Sequence, residues 1–285
     1  MGKEAGTVNP APNERLRVET TMSNLPAELL DHIVDLLHDT EDTLRDCCLV
    51  SKSWIPRTRK HLFAEISFHS EENLQSWKKA FPDPSTSPAC YTKALSVNCL
   101  RVVTAADAEP GGWITSFSRV VHLGVGTLGF LLGCAAPFLP FHGFSPAVKS
   151  LYVNFTILSS SQTFDLIRSF PLLEDLTVIT YHKVSTDDGG NSNGVLTAVR
   201  PSSSPVFTGF LDLSLRGAMK PIVDRLLSLP GGIHFRKLTL KWFHETDPLS
   251  TMALVEGCSH TLESLHWSYH LFGTPSQHPR LHLHQ

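Results

Sequence analysis

The first pattern with chemical potential is a glycine motif, Gly124-Val-Gly126-Thr-Leu-Gly129, which follows the apolar segment Val120 to Leu123. Glycines at this spacing can bring a backbone turn close to a dinucleotide pyrophosphate. That chemistry also requires a helix after the motif and an acidic residue about 20 positions further on to bind the ribose. No Asp or Glu lies between Glu109 and Asp165, and two prolines shortly after the motif would interrupt a helix. We therefore predict that the chain binds no nucleotide cofactor.

Histidine and cysteine side chains could bind metal or act as nucleophiles, and the chain has 15 His and 6 Cys. The cysteines form no Cys-x-x-Cys pair, and the clustered His278, His282 and His284 have no carboxylate or thiol beside them. A zinc site needs several such ligands at defined spacing. The motifs Gly-x-Ser-x-Gly and Gly-x-x-x-x-Gly-Lys-Ser/Thr are also absent from the sequence. We predict no metal, no cofactor and no catalytic residue, so the protein is not expected to be an enzyme.

Composition narrows the possible partners. The 285 residues are 41% apolar and 18% charged, with a formal net charge of -3. Without a basic excess there is no phosphate-binding face, so nucleic acid is excluded as an expected partner. The N-terminus lacks the apolar segment of a secretory signal, and Val120 to Val148, although uncharged, is broken by glycines and prolines. We predict no membrane span, reduced cysteines and a cytoplasmic and/or nuclear location.

The elements of the chain begin after a polar lead-in, residues 1–23, which we predict to be disordered. Residues 24–63 contain three apolar patterns at helical spacing, and we predict three short helices there. A unit of about 40 residues is too small to form a self-sufficient core without disulfides or metal. Its many apolar side chains must therefore be buried against the rest of the chain or against another protein.

The remainder of the chain carries a repeat. Residues 64–91 are interpreted as a connecting strand and linker, and residues 92–270 hold seven segments close to the pattern apolar-x-x-Leu-x-apolar. Their central leucines are 25 to 28 residues apart, except for an interval of 37 between Leu176 and Leu213. This period is typical of leucine-rich repeats, in which each strand is followed by a helix. The long interval contains residues 183–206, predicted to be a disordered loop, and residues 271–285 are a polar tail.

The predicted fold is thus α+β or α/β: an N-terminal three-helix unit followed by a leucine-rich-repeat-like α/β solenoid of about seven strands. In such a solenoid the residue between the two apolar positions of each strand points to the open face of the sheet. We take these residues as candidates for binding a partner: Ser96, Gly124, Tyr152, Thr177, Ser214, Thr239 and His266. The row is nearly uncharged, which excludes a strongly basic or acidic groove.

The N-terminal unit resembles an F-box. The resemblance rests on the opening Leu25-Pro26-x-Glu28-Leu29-Leu30, on the core Cys48-Leu49-Val50-Ser51-Lys52-Ser53-Trp54, and on the closing Leu62-Phe63. It covers about 40 of the 285 residues. The later phrases Ser169-Phe-Pro-Leu-Leu-Glu-Asp-Leu176 and Phe235-Arg-Lys-Leu-Thr-Leu240 are similar to those of F-box proteins of mushroom-type fungi, which carry degenerate leucine-rich repeats.

The resemblance implies a substrate receptor of an SCF-type ubiquitin ligase. An F-box docks on a Skp-type adaptor, which connects it to a cullin, and the repeats bind a protein substrate that the sequence does not identify. The positions that match adaptor-contacting or face-shaping residues are Leu25, Pro26, Leu29, Leu30, Ile33, Leu49, Val50 and Trp54. The alternative is a non-catalytic interaction scaffold whose F-box packs on its own repeats and has no ligase role.

Overall fold

A computed structural model describes residues 26–98, 112–126, 144–154, 160–180, 207–215, 220–241 and 248–268. Within these ranges the α-helices are α1 (Ala27–Leu36), α2 (Glu41–Val50), α3 (Ile55–Leu62), α4 (Glu71–Ala80), α5 (Ser160–Arg168), α6 (Lys220–Leu227) and α7 (Pro248–Gly257). The strands are β1 (Glu65–Phe68), β2 (Ala94–Val97), β3 (His122–Gly126), β4 (Ser150–Asn154), β5 (Asp175–Thr180), β6 (Phe210–Leu215), β7 (Lys237–Lys241) and β8 (Ser264–Ser268). The predicted lead-in, loop 183–206, tail 271–285 and the tail histidines lie outside the described residues.

The chain is an α/β protein built on one parallel sheet. Its eight strands lie in the order β1-β2-β3-β4-β5-β6-β7-β8, so every strand pairs with its neighbours in the sequence. Parallel neighbours need a crossover connection, and α4, α5, α6 and α7 each lie in one. Because the strands advance in one direction, crossovers of one hand place every connecting helix on the same side of the sheet.

The core lies between that side of the sheet and the connecting helices. Each of the strands β2 to β7 places two apolar side chains there, spaced two residues apart, such as Leu95 and Val97 in β2. These side chains share one cluster with residues of the helices, among them Leu74 of α4, Val223 of α6 and Leu254 of α7. The opposite side of the sheet carries mostly half-buried or exposed residues and no described helix covers it. The fold therefore has one closed and one open face.

Backbone hydrogen bonds fix the start of each strand. In six of the seven pairs of neighbouring strands, the carbonyl of a residue just before the first strand accepts two hydrogen bonds. The donors are successive N–H groups at the start of the second strand. We call this row the carbonyl ladder, and its double acceptors are Ala64, Lys93, Val121, Lys149, Gly209 and Arg236. The exception is Glu174, whose carbonyl accepts only the Gly209 N–H at 3.2 Å. There the Phe210 N–H donates instead to the Asp175 carboxylate, with an N–Oδ1 distance of 2.7 Å.

Residues 64–91 are part of the folded body: the predicted connecting strand is present as β1, whereas the stretch interpreted as a linker forms a helix and turns. β1 pairs in parallel with β2 through Glu65–Ala94 to Phe68–Val97, so this strand joins the seven strands β2 to β8 in one sheet of eight. α4 follows directly, and its Leu74 is completely buried. The proline-rich stretch after it forms two 3-10 turns in which Pro88 and Ala89 are buried. The prolines in this stretch favour the two turns, because the proline ring fixes φ at a value that suits a tight turn.

The register of β6 also differs from the prediction by two residues. Leu176 pairs with Leu211, and Leu211 pairs with Leu238, so Leu211 and not Leu213 is the repeat position. The long interval is therefore 35 residues and the next one is 27. The sequence Phe-Leu-Asp-Leu-Ser-Leu alternates over its whole length and permits either register with the same side chains facing inward. The extra hydrogen bond of Asp175 to Phe210 belongs to the observed register.

The closeness of Gly209 to Asp175 leads to a prediction. A Cβ atom on Gly209 would lie 1.9 Å from Asp175 Oδ1 and 3.2 Å from the Glu174 carbonyl oxygen. Gly209→Ala must displace the carboxylate and leave the Phe210 N–H without its acceptor, which costs about 1–3 kcal/mol of unfolding free energy. Urea denaturation followed by circular dichroism measures this loss.

The control is Gly124→Ala, where the nearest atom is the movable Ser96 Oγ at 3.2 Å, and a smaller loss is expected. In an Asp175→Ala background the Gly209→Ala change should cost less, because the two residues are coupled. Equal losses in both backgrounds would contradict the role assigned to the carboxylate.

Candidate functional site

The N-terminal helices leave a set of apolar side chains in solvent. Leu29 is 51% exposed, Ile33 40% and Leu36 69%, and spacings of four and three residues place all three on one side of α1. At the last turn of α2, Leu49 is 86% and Val50 65% exposed. We call these five residues the apolar helical surface. Isolated exposed leucines are ordinary, whereas five exposed apolar residues concentrated in two short helices are unusual.

A separate set of residues holds the three helices together. Val34 of α1 and Leu44 of α2 are each 1% exposed, Cys47 of α2 is 6% exposed, and Thr58 of α3 is completely buried. The Thr58 hydroxyl donates to the Trp54 carbonyl one turn earlier, at 2.7 Å. Burial raises the pKa of the Cys47 thiol, which keeps it protonated and unreactive. The apolar helical surface is thus not needed to form this inner core.

An ionic cluster connects α1 with α3. Both oxygens of Asp35 accept hydrogen bonds from the Arg57 guanidinium, with Nε at 2.6 Å from Oδ1. His61 Nε2 lies 2.6 Å from the same Oδ1. Arg57 and His61 are four residues apart and therefore project from one side of α3. The hydrogen bonds from Arg57 and then from His61 hold the pKa of Asp35 well below its usual range.

Aromatic contacts join this helical unit to the sheet. Phe63, directly after α3, lies edge-on to Trp77 and Phe81, with ring centroids 6.0 and 6.4 Å apart. Trp77 in turn contacts Phe68 of β1 and Phe117, at 5.8 and 5.9 Å. The unit is therefore attached to the first end of the sheet through Phe63, directly after its last helix.

The eight residues predicted to match adaptor-contacting positions fall into three groups. Pro26, Leu29, Ile33, Leu49 and Val50 are exposed, whereas Leu30 and Trp54 are half-buried. Leu25 lies outside the described residues. Leu36, which was not a candidate, is among the most exposed apolar residues of the unit, and its position three residues after Ile33 was a usable signal. The Asp35 cluster was also missed, because nothing in the local sequence pairs Asp35 with residues more than 20 positions away.

The open face of the sheet contains most of the other predicted residues. Strand pairing aligns one row across all eight strands: Ser67, Ser96, Gly124, Tyr152, Thr177, Asp212, Thr239 and His266. Tyr152 is 41% exposed, and Thr177, Thr239 and His266 are half-buried. The row is at least partly accessible along its length.

Ser214 is a correction to that set. Because of the shifted register it pairs with Ile179 and Lys241, one row further along, and it is only 3% exposed. Its hydroxyl donates to Asp212 Oδ1 at 3.1 Å, and Lys241 Nζ lies 2.9 Å from Asp212 Oδ2. Asp212 takes its place in the row, so the face carries a charge there, balanced by Lys241.

A shallow groove lies on the open face over β1 to β4. It has a volume of about 260 Å³, and Glu65, Ser96, His122, Gly124 and Tyr152 are among the residues that line it. The groove forms over Ser96 and Gly124 because these residues are small, and the Tyr152 side chain stands at its edge. Among the described residues there is no group of His, Cys, Asp and Glu that could hold a metal, and no helix long and apolar enough to cross a membrane.

The Asp35 cluster generates a prediction about stability. Asp35→Asn removes the charge that Arg57 and His61 share, and hydrogen bonds to a charged group contribute about 1.5–3 kcal/mol each in favourable sites. The three side chains are 21–34% exposed, so we expect a smaller total loss of about 1–2 kcal/mol of unfolding free energy. Urea denaturation at neutral pH measures it, with exposed Asp46→Asn of α2 as the control.

The same cluster predicts a dependence on pH. A carboxyl whose pKa is lowered on folding stabilises the folded state above its unfolded pKa, about 3.9, and this stabilisation is lost as the pH falls toward the folded value. The difference between the native chain and Asp35→Asn should therefore persist from neutral pH down to about pH 4 and shrink below it. A difference that vanished already near neutral pH would assign the stabilisation to another group.

Comparison of the chain with protein-family models, with curated proteins and with solved structures found no match. The function is therefore inferred from the geometry of the two surfaces.

Proposed function

We propose that residues 24–63 are an F-box and that the chain is a substrate-recognition subunit of an SCF-type ubiquitin ligase. In this proposal the apolar helical surface docks on a Skp-type adaptor, which connects the chain to a cullin. The eight-stranded sheet is a degenerate leucine-rich-repeat solenoid whose open face binds a protein substrate. The chain performs no chemistry itself and raises the concentration of its substrate near the charged conjugating enzyme.

The observation that carries the proposal is the exposure of Leu29, Ile33, Leu49 and Val50. These four of the eight residues that match F-box contact positions are 40–86% exposed, although all are apolar. The interior of the same unit is already closed by Val34 and Leu44. Side chains that are apolar, exposed and not required for folding are what an adaptor-binding surface needs, because their burial on the partner drives association.

The alternative scaffold, with the F-box packed on its own repeats, is less well supported. It would bury the apolar helical surface against the sheet, whereas the contact to the sheet runs through Phe63, Trp77 and Phe81. That contact anchors one side of the unit and leaves α1 and the end of α2 free to bind. Half-buried Leu30 and Trp54 are assigned to shaping the unit more than to direct contact with the adaptor.

The proposal predicts the effect of charge on the surface. Leu29→Asp and Leu49→Asp place unpaired carboxylates in an apolar interface, and each should weaken binding to the Skp-type adaptor by about 2 kcal/mol or more, about thirtyfold in Kd. Co-purification and isothermal titration of the full chain with the adaptor of its own host measure the loss. Because both residues are exposed, the thermal unfolding midpoint should stay near that of the native chain.

Leu172→Asp is the matched control, since Leu172 is 54% exposed and lies before β5, outside the helical unit. It should bind the adaptor like the native chain. No binding by the folded native chain would refute the ligase role. A large drop in the unfolding midpoint of Leu29→Asp or Leu49→Asp would instead favour the alternative scaffold.

A further inference from the structure

The two ends of the sheet are covered to different extents. At the first end, Phe68 of β1 is 3% exposed and lies against the Trp77 ring, with centroids 5.8 Å apart. At the last end, Trp267 of β8 is 44% exposed and Leu265 is half-buried. Their partners one strand earlier, Leu240 and Leu238, are 0% and 1% exposed. The apolar layer therefore reaches solvent at β8.

The last helix is exposed at the same end of the repeat. Leu254 of α7 is completely buried, but Leu249 is 78% and Met252 65% exposed. These two residues are three positions apart and share a side of the helix. The first turn of α7 has no acidic residue and its last turn no basic one. Helix and strand together present an apolar end.

The free edge of β8 lacks the usual protection against pairing. Within the part of the chain that the structure describes, β8 pairs with β7 alone, which leaves one row of backbone N–H and C=O groups open. Edge strands in monomeric proteins are commonly guarded by lysine, proline or an inward charge. The strand Ser264-Leu265-His266-Trp267-Ser268 contains none of these.

We propose that β8 pairs antiparallel with β8 of a second copy of this chain. The strand reads the same in both directions by residue class: Ser, apolar, His, apolar, Ser. Antiparallel pairing centred on His266 therefore sets Ser264 against Ser268 and Leu265 against Trp267 of the other copy. In this register each serine lies opposite a serine of the other copy, and each apolar residue lies opposite an apolar residue.

A single two-fold rotation would pair the free edge of β8 and cover its exposed apolar residues at the same time. A two-fold axis perpendicular to the sheet reverses the strand direction and keeps the covered face on the same side in both copies. The exposed Trp267 of each copy then continues the apolar layer of the other, and the two α7 helices lie in a common layer. An isologous contact of this kind closes at two copies and does not propagate. This inference stands independently of the proposed adaptor and substrate.

The small size of the contact sets the expected affinity. A five-residue strand and one helix side form an interface at the low end of the range for specific complexes. We expect a dimer that dissociates in the micromolar range. Sedimentation velocity of the full chain at increasing concentration should show a species of twice 31.5 kDa.

A charge variant and its control test the surface. Trp267→Lys introduces a charge into the pairing edge and should weaken the dimer at least tenfold. Leu172→Lys, which changes an exposed leucine far from β8 in the sequence, should leave the dimer unchanged. A native chain that stays monomeric at high micromolar concentration overturns the proposal, as does a dimer that Trp267→Lys does not weaken.

Disulfide trapping tests the register without relying on Trp267. In a Cys90→Ser background, which removes an exposed thiol, His266→Cys brings two thiols together across the axis, within the Cα separation that a disulfide allows. Ser264→Cys places the equivalent Cα atoms about 13 Å apart, too far for a bond. Oxidation should link the first variant and not the second. Equal linking of both would refute the antiparallel register centred on His266.

Discussion

Each of the strands β2 to β7 contributes two apolar side chains to one buried layer. Each of these side chains lies beside the corresponding side chain of the next strand in the sequence. Leu151 and Val153 of β4, for example, pair with Leu123 and Val125 on one side and with Leu176 and Val178 on the other. Because burial of apolar area is the main favourable term in folding, this stacking sets the side of the sheet on which the helices lie. The carbonyl ladder fixes the start of every strand after β1 except β6, since a carbonyl that accepts two N–H groups determines where the next strand begins.

The same constraint explains why the protein has an open face. A stack of strands that advances in one direction covers only one side, so the other side must be compatible with water. It carries Ser67, Ser96, Thr177 and Thr239, and the Asp212 carboxylate in the same row is paired with Lys241 and accepts a hydrogen bond from the Ser214 hydroxyl. Such a face offers polar groups along its whole length and a low groove beside Tyr152.

The sheet has two ends, at β1 and at β8, and they are covered to different extents. At the first end, α4 and an aromatic cluster close the layer and attach the N-terminal helical unit through Phe63. This attachment fixes the unit by one side while Asp35, Arg57 and His61 hold its helices together. The exposed leucines of α1 and α2 are then free for a partner. At the other end nothing in the described part of the chain closes the layer, and Trp267 and Met252 are available for a second copy.

The sequence by itself determined the helical and strand periodicities and the approximate number of strands. Phe164, Ile167 and Phe170, for example, lie three residues apart in the sequence and are each 1% exposed. These features are local, because apolar spacing identifies an element and its buried side before the fold is known. Only the tertiary structure decided that β1 and α4 belong to the body, that Asp212 and not Ser214 lies in the open row, and that Asp35 reaches α3. Those outcomes depend on pairing between distant segments, and the alternating sequence of β6 satisfies two registers equally well until the hydrogen bond from Phe210 to Asp175 selects one.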